Sequence, residues 1–382
     1  MASTSQIVIK SEALEQNVKF VKSLLDKSTT ISAVIKGNAY GHGTEIVVPA
    51  LEQLGINHFS VYSSAEAKVA FEVKSPKSVI MIMGFIYKED YQWVIENDIE
   101  FFVSCPEAFK LVLETVKRIQ KKAIIHIDLE TGMNRTGLEI KQLRRIIPMI
   151  KANEESLIIR GICSHFAGAE SIANQIRIKK QFSVFKKRVK LLNDNDIYSE
   201  VKHIASSAAT INYPETRLDL VRVGIILYGY WPTTETFIHY IHRRKDKTDP
   251  LKRALRWCTE VALVKTVTEG EFIGYGMSFQ AQRTIKIMII PVGYSTGYSR
   301  SLSNNGHVIV NGFIAPIVGT VNMNMIICDI TNLPKIKVGD PVILIGKQDV
   351  NEISFTSFAE MNNSLNYEIL ARLPESISRE LV

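Results

Sequence analysis

Between residue 10 and about residue 230 the chain alternates short, apolar, β-branched runs with stretches whose apolar residues recur at helical spacing. The β runs are ISAVIK (31–36), HFSVYS (58–63), SVIMIM (78–83), EFFVSC (100–105), AIIHIDL (123–129), LIIRGICSH (157–165), VKHIASS (201–207) and LDLVRVG (218–224). Helical patterns such as PEAFKLVLETVKRIQ and EIKQLRRIIPMIKA separate them, and SEALEQNVKFVKSLL precedes the first. Eight β runs joined through helices fit a parallel sheet closed into a (β/α)₈ barrel of the TIM type. A doubly wound open sheet is the alternative.

After YGYWPTTET the texture changes. IHYIHRRKDKTDPLKRALRW reads as a charged, irregular linker. Beyond it TEVALVKTV, IKIMIIPVG, GHVIVNG, FIAPIVGTV, NMIICDI and DPVILIG are β runs punctuated by Gly, Asn and Pro. That pattern predicts a second, mainly antiparallel domain. The expected division is 10–240 for the barrel and 241–382 for the β domain, with residues 1–9 adding a strand to the latter.

The net charge of +7 raises the question of a nucleic acid or acidic lipid partner. The basic residues cluster in short helical patches such as KKRVK (186–190), without a zinc knuckle, an RNA-binding sheet signature or interleaved aromatics. Solvated faces account for them, so neither nucleic acid nor membrane is expected as a partner. Four scattered cysteines with no CxxC pair indicate no disulfide framework and no metal site. MASTSQ is not a signal peptide, and SVIMIMGFIY (78–87) falls short of the roughly 20 residues of a membrane helix. The expectation is a soluble, cytoplasmic protein.

In a barrel, polar residues at the carboxyl ends of strands carry the chemistry, while interior positions pack. Lys36 ends the first β run, Asp128 the fifth, His165 the sixth, and Ser206 and Ser207 the seventh. Arg222 ends the eighth, followed by Gly224 and Ile225. Each has an ordinary reading as a core histidine, a surface guanidinium or a capping serine. Together they put an amine, a hydroxyl with backbone N–H donors, and a cation at one barrel mouth. An amine beside a phosphate cradle is what pyridoxal phosphate requires.

AVIKGNAYGHG resembles the lysine signature of the alanine racemase family of fold-type III pyridoxal-phosphate enzymes, usually written with Ala where Gly37 stands. LETGMNRTG, GICSHFAGAE, LVRVGIILYGY, GYGMSF, VGYSTGYSR, APIVGTVNM and NYEILARL agree with that family in order and spacing across nearly the whole chain. The resemblance implies that Lys36 is the Schiff-base lysine and one of two acid/base groups. Tyr275 would be the other, reaching a partner's site in a homodimer. Two bases on opposite faces let a proton leave one side of a planar carbon and return on the other. The resemblance further implies a relay from Tyr275 through His165 to Arg222, with Arg222 on the pyridine nitrogen. It assigns Ser207, Gly224, Ile225, Tyr40 and Tyr367 to the phosphate, and Arg135 and the Met323 N–H to the substrate carboxylate. Tyr294 would line the entrance, with Arg300 farther out.

Several positions depart from the family pattern. Asp128 stands where a lysine, often carbamylated, is usual, and is read as a substitute anion that orients Arg135. Ser206 replaces an asparagine, Thr296 an aspartate, Thr320 an arginine, and Asn322 and Asn324 a cysteine and an aspartate. These changes leave open a racemase preferring another small amino acid such as serine. A non-catalytic cofactor-binding barrel is the third reading, but such proteins lack the β domain and its Tyr275. The leading reading is racemisation of alanine, supplying D-alanine to peptidoglycan.

Overall fold

The computed structural model describes residues 4–242, 244–354, 358 and 366–382, the side chains of Asn366 and Tyr367 excepted. It divides into two compact units. One comprises Glu12–Gly37 and Val47–Lys252. The other comprises the N-terminal stretch through Ser11, the short segment Asn38–Ile46, and the chain from Arg253 onward.

Strand β1 (Gln6–Ile9) belongs to the second unit. The first unit is built on eight parallel strands: β2 (Thr30–Val34), β3 (His58–Val61), β4 (Val79–Ile82), β5 (Glu100–Val103), β6 (Ala123–Asp128), β7 (Leu157–Cys163), β8 (Val201–His203) and β9 (Leu220–Val223). They pair in the order β8-β7-β6-β5-β4-β3-β2-β9. The two ends of that order meet as well: Ser206 bridges Arg222, the Arg222 N–H donates to the Ala205 carbonyl at 3.0 Å, and the Asp219 N–H donates to Lys202 at 3.1 Å. The sheet closes on itself as a barrel, which removes the open-sheet alternative.

The helices between strands follow from their patterning. Ile140–Lys151 starts at a capping box of Glu139 and Gln142 and buries Leu143, Ile146, Ile147 and Ile150 along one face. Burying four aliphatic side chains at about 1.5–3 kcal/mol each outweighs the roughly 3 kcal/mol that Pro148 costs inside the helix. Pro106–Ile119 is capped by the Cys105 sulfur, with Pro106 in the first turn and Gln120 left-handed at its end.

Two expectations need correction. The segment read as an irregular linker begins as a helix, Thr234–His242. Its Tyr240 packs on Phe20 and Trp231 at ring separations of 5.2 Å, and this tertiary aromatic cluster is what the local charge pattern concealed. The barrel strands also stop earlier than the apolar runs: β2 at Val34, β7 at Cys163, β8 at His203. Lys36 and His165 therefore lie in the turns after the strands, Ser206 in an isolated bridge to Arg222, and Ser207 at the start of a helix.

The second unit carries β10 (Leu255–Glu260), β11 (Leu263–Val267), β12 (Ile285–Ile290), β13 (His307–Val310), β14 (Phe313–Pro316), β15 (Ile326–Asp329), β16 (Pro341–Gln348), β17 (Asn351–Ile353) and β18 (Ser378–Leu381). One sheet runs β14-β13-β16-β10-β1-β18 with β17 on β16, and a second runs β11-β12-β15. Every pairing is antiparallel except β1 with β18. Trp257, Tyr298 and Phe358 stack in succession in its core. Among the described residues no helix is long and apolar enough to cross a membrane.

Candidate active site

Lys36 opens the turn that follows β2. The next five residues, Gly37, Asn38, Ala39, Tyr40 and Gly41, all have φ between +51° and +77°. A left-handed turn costs roughly 1–2 kcal/mol per non-glycine residue, so it persists only where its surroundings impose it. Glu66 supplies part of that constraint in the barrel unit. Its carboxylate accepts the Gly37 N–H at 2.8 Å and the Tyr62 N–H at 2.7 Å. The Lys36 side chain is accessible, yet surrounding protein lowers its pKa from the ordinary lysine value. Loss of hydration is the main cause, the Arg135 charge adds to it, and Glu66 opposes. Such an amine is closer to its nucleophilic form.

Arg222, on β9 beside β2, is 5% exposed. Its guanidinium donates to the Ser164 carbonyl at 2.7 Å and to His203 Nδ1, and lies 3.4 Å from His165 Nδ1. Its carbon sits 5.7 Å from the Phe102 ring centre. His165 is held neutral, its pKa pushed down to about 3 by burial and by the charges of Arg222, Arg135 and Lys36.

Asp128 is buried and accepts from the Ser104 hydroxyl at 2.9 Å. Burial raises its pKa, while Ser104, Arg222, Thr136 and Arg135 favour the anion. Arg135 is exposed and sits on the 130–138 loop. Glu130 shapes that loop by accepting the Gly132 and Asn134 N–H groups, and Arg188 donates to the Glu130 and Leu138 carbonyls. Among the described residues no direct ion pair joins Asp128 to Arg135; the aspartate acts on it through the local field, alongside Arg222.

Ser207 begins the helix Ser207–Asn212, and its Oγ accepts the Gly224 N–H at 3.0 Å. Its hydroxyl hydrogen is thereby left to point elsewhere. Ile225 is buried at the start of the turn Ile225–Tyr228. These elements follow β8 and β9, the place where barrels commonly bind phosphate.

The β unit places its own candidates differently. Tyr275 is 78% exposed, and its carbonyl accepts from Thr320 Oγ1 at 3.4 Å. Thr320 also lies 3.0 Å from the Ser278 hydroxyl, so a residue standing where the family has an arginine braces the Tyr275 loop. Tyr294 and Met323 are brought together. The Tyr294 N–H donates to Asn322, and the Ser295 N–H and hydroxyl both donate to Met323. Ser295 also donates to Asn324 at 2.6 Å, while Thr296 closes its own turn on Gly293. Arg300 is exposed. Tyr40, in the left-handed turn, accepts from His42 through its carbonyl. Tyr367 falls in the helix Asn366–Ala371, and its side chain lies outside the described residues.

Sequence reasoning passed over Glu66, Ser104, Glu100, His126 and His203. Glu100 and His126 lie within the runs EFFVSC and AIIHIDL, and a charged residue inside an otherwise apolar β run was the available signal.

A closed barrel that carries a lysine amine of lowered pKa, two arginines and a hydroxyl–amide pair at or beyond the carboxyl ends of its strands offers cationic and hydrogen-bonding groups suited to an anion. Residues 9–232 match the family model described as alanine racemase, N-terminal domain, and residues 254–381 match that of the C-terminal domain. The chain is 34% identical over 376 residues to alanine racemase 1 of Caldanaerobacter subterraneus subsp. tengcongensis, covering 98% of this chain and 94% of that one. It superposes on the alanine racemase of Clostridium difficile 630 with a TM-score of 0.91 at 28% identity, covering 100% and 96% of the two chains. Against the alanine racemase of Bartonella henselae, described with covalently bound pyridoxal phosphate, the TM-score is 0.83 at 28% identity over the full length of both. The chain belongs to the alanine racemase family, whose members are isomerases dependent on pyridoxal phosphate.

Proposed function

We propose that this chain interconverts L-alanine and D-alanine with pyridoxal phosphate as cofactor. It works as a cytoplasmic homodimer with shared active sites and supplies D-alanine for peptidoglycan. The observation that carries this reading is the Lys36 amine, in the turn just past β2, together with the buried Arg222 guanidinium on the adjacent β9 of one barrel.

The donor set suits that cofactor. Lys36 Nζ would hold it through its aldehyde carbon, the aldehyde oxygen leaving as water, until a substrate amine takes that place and frees the lysine. Ser207, the Ile225 N–H and the hydroxyls of Tyr40 and Tyr367 would hold its phosphate, with Gly224 orienting Ser207 through its N–H. The chemistry such a cofactor would supply is electron withdrawal that acidifies the α C–H bond of an attached amino acid. Arg222 would donate to the pyridine nitrogen and, because a guanidinium does not readily give up its proton, would leave that nitrogen unprotonated. Electron withdrawal is moderated, which favours return of the proton over side reactions. Arg135 and the Met323 N–H orient the substrate carboxylate, with Asp128 setting the field around Arg135. Lys36 Nζ takes or gives the α proton on one face. The partner's Tyr275 does so on the other through its hydroxyl, with His165 linking it to Arg222. Tyr294 narrows the entrance.

The test is proton NMR of L-alanine in deuterated water with the protein and added pyridoxal phosphate. Loss of the α-proton signal with appearance of D-alanine is expected. A coloured protein that leaves the α proton untouched would reject alanine as substrate, and L-serine in the same assay would then be the next trial. Sharing of sites is tested by mixing the inactive variants Lys36→Ala and Tyr275→Phe. A mixed dimer has one intact site, so random reassortment should restore about a quarter of wild-type activity. No recovery after demonstrated reassortment would refute the shared site.

A further inference from the structure

Behind Arg222 a buried polar chain runs down the barrel interior. His203 Nδ1 meets the Arg222 guanidinium, His203 Nε2 lies 2.9 Å from His126 Nδ1, and His126 Nε2 lies 2.8 Å from Glu100 Oε2. His126, His203, Glu100 and Arg222 are each 5% exposed or less. Phe102 packs against both imidazoles, at ring separations of 5.9 and 5.8 Å. His126 pairs in register with Gly161, where any side chain would collide with the imidazole, so the fold keeps room for this ring.

The donor inventory leaves one consistent proton arrangement. A guanidinium only donates, so His203 Nδ1 must accept. His203 then carries its proton on Nε2 and donates to His126 Nδ1. His126 in turn carries its proton on Nε2 and donates to Glu100. All three bonds point the same way, from the cation toward the anion. Glu100 is held as that anion by a further donor, His58 Nε2 at 3.3 Å, and by an ion-pair contact of 3.1 Å between its other oxygen and Arg160 Nε. Burial works against the charged carboxylate, but the hydrogen bonds from His126 and His58 hold its pKa below the ordinary range. Both chain histidines are shifted down by burial, as neutral rings require.

We infer that Glu100 is a positioning residue for Arg222, acting through His126 and His203 to fix their tautomers and so keep an acceptor facing the guanidinium. The consequence for turnover rests on the proposed function; the arrangement of protons does not. With a neutral amide at position 100 the direction of the chain is no longer enforced. His126 and His203 can reverse together, and His203 then turns an N–H toward an N–H of Arg222. The guanidinium loses its anchor and its aim.

Ring-nitrogen NMR of protein labelled with ¹⁵N-histidine reads this directly, each of the eight histidines being assigned by a single His→Gln substitution. In the wild-type protein as purified, at neutral pH, His126 and His203 should both be neutral with the proton on Nε2. Glu100→Gln should convert these signals to a mixture of tautomers and lower kcat for alanine about tenfold, with KM changed less than about twofold. His58→Gln keeps a donor on Glu100 and should leave the His126 and His203 signals and kcat as they are. A wild-type His203 protonated on Nδ1, or on both nitrogens, overturns the inference. So does a Glu100→Gln protein whose ring signals do not move, or one whose tautomers mix while kcat stays constant. The tautomers are read without turnover, so an inactive protein with both rings protonated on Nε2 would reject the proposed function and still support the relay.

Discussion

The two units hold their candidate residues in opposite ways. In the barrel, Arg222 is 5% exposed and fixed by Ser164 and His203, and Asp128 is buried against Ser104. In the β unit, Tyr275 is 78% and Met323 55% exposed, on loops braced through their backbones. Barrel residues are oriented by one another before any ligand arrives, so the reorganisation they need is small. Among the described residues of its own chain Tyr275 has no such arrangement of its side chain, which is what the proposed sharing of sites between two chains requires.

The sharpest way to break that contrast is Tyr275→Phe. It should reduce racemisation by about 10²- to 10⁴-fold while leaving the thermal midpoint unchanged, because the exposed hydroxyl contributes little to its own fold. A lowered midpoint would show that the tyrosine is structural. Asp128→Asn tests the barrel side. Removing the anion near two guanidiniums should raise KM for alanine by more than about tenfold, or 1.4 kcal/mol. Unchanged kinetics would discard Asp128 as the replacement for a carbamylated lysine.

Acid should weigh more heavily on the barrel, with three down-shifted histidines, than on the other unit, where His42 and His307 are shifted down. His126, His165 and His203 are buried neutral in the barrel, with pKa values shifted below that of an unfolded histidine near 6.5. Between the folded and unfolded values the unfolded chain binds more protons, so stability falls as pH drops below about 6.5, for His165 down to about pH 3. Glu100 adds to the loss: its depressed pKa contributes stability above the unfolded carboxylate value that disappears at lower pH. The thermal midpoint, followed from pH 7 to 4, should decline first for signals from the barrel. A flat profile over that range would contradict the neutral histidines. The smallest effect expected is that of Gly37→Ala. An alanine at φ +61° should cost about 1 kcal/mol by denaturant titration and leave the site geometry intact.

Much of this was legible in one dimension. Alternation of β runs with helix-period segments announced the barrel, and the polar residues at the ends of those runs singled out Lys36, His165, Ser207 and Arg222 as candidates. The limits were set by contacts between distant residues. Apolar runs overshot the strands because solvent exclusion extends past the ladder, so Val34 rather than Lys36 ends β2. The helix Thr234–His242 was hidden because its aromatic face is completed by Phe20, over 200 residues away in the chain. Asp128 was tied to Arg135 by analogy; the hydrogen bond it accepts from Ser104, just past the neighbouring strand β5, was not legible.

The sequence by itself determined the period of each element, the order of strands and helices, and which side chains arrive at the mouth of the barrel. These depend on local patterning and on chain connectivity, which a string of residues contains. Only the tertiary structure decided that β8 and β9 meet to close the barrel and that five successive residues after Lys36 turn left-handed. It alone aligned Glu100, His126 and His203 into one line behind Arg222. Those outcomes depend on register between strands and on a low-dielectric interior, where an unpaired polar group is too costly to leave and each must find its partner across the fold.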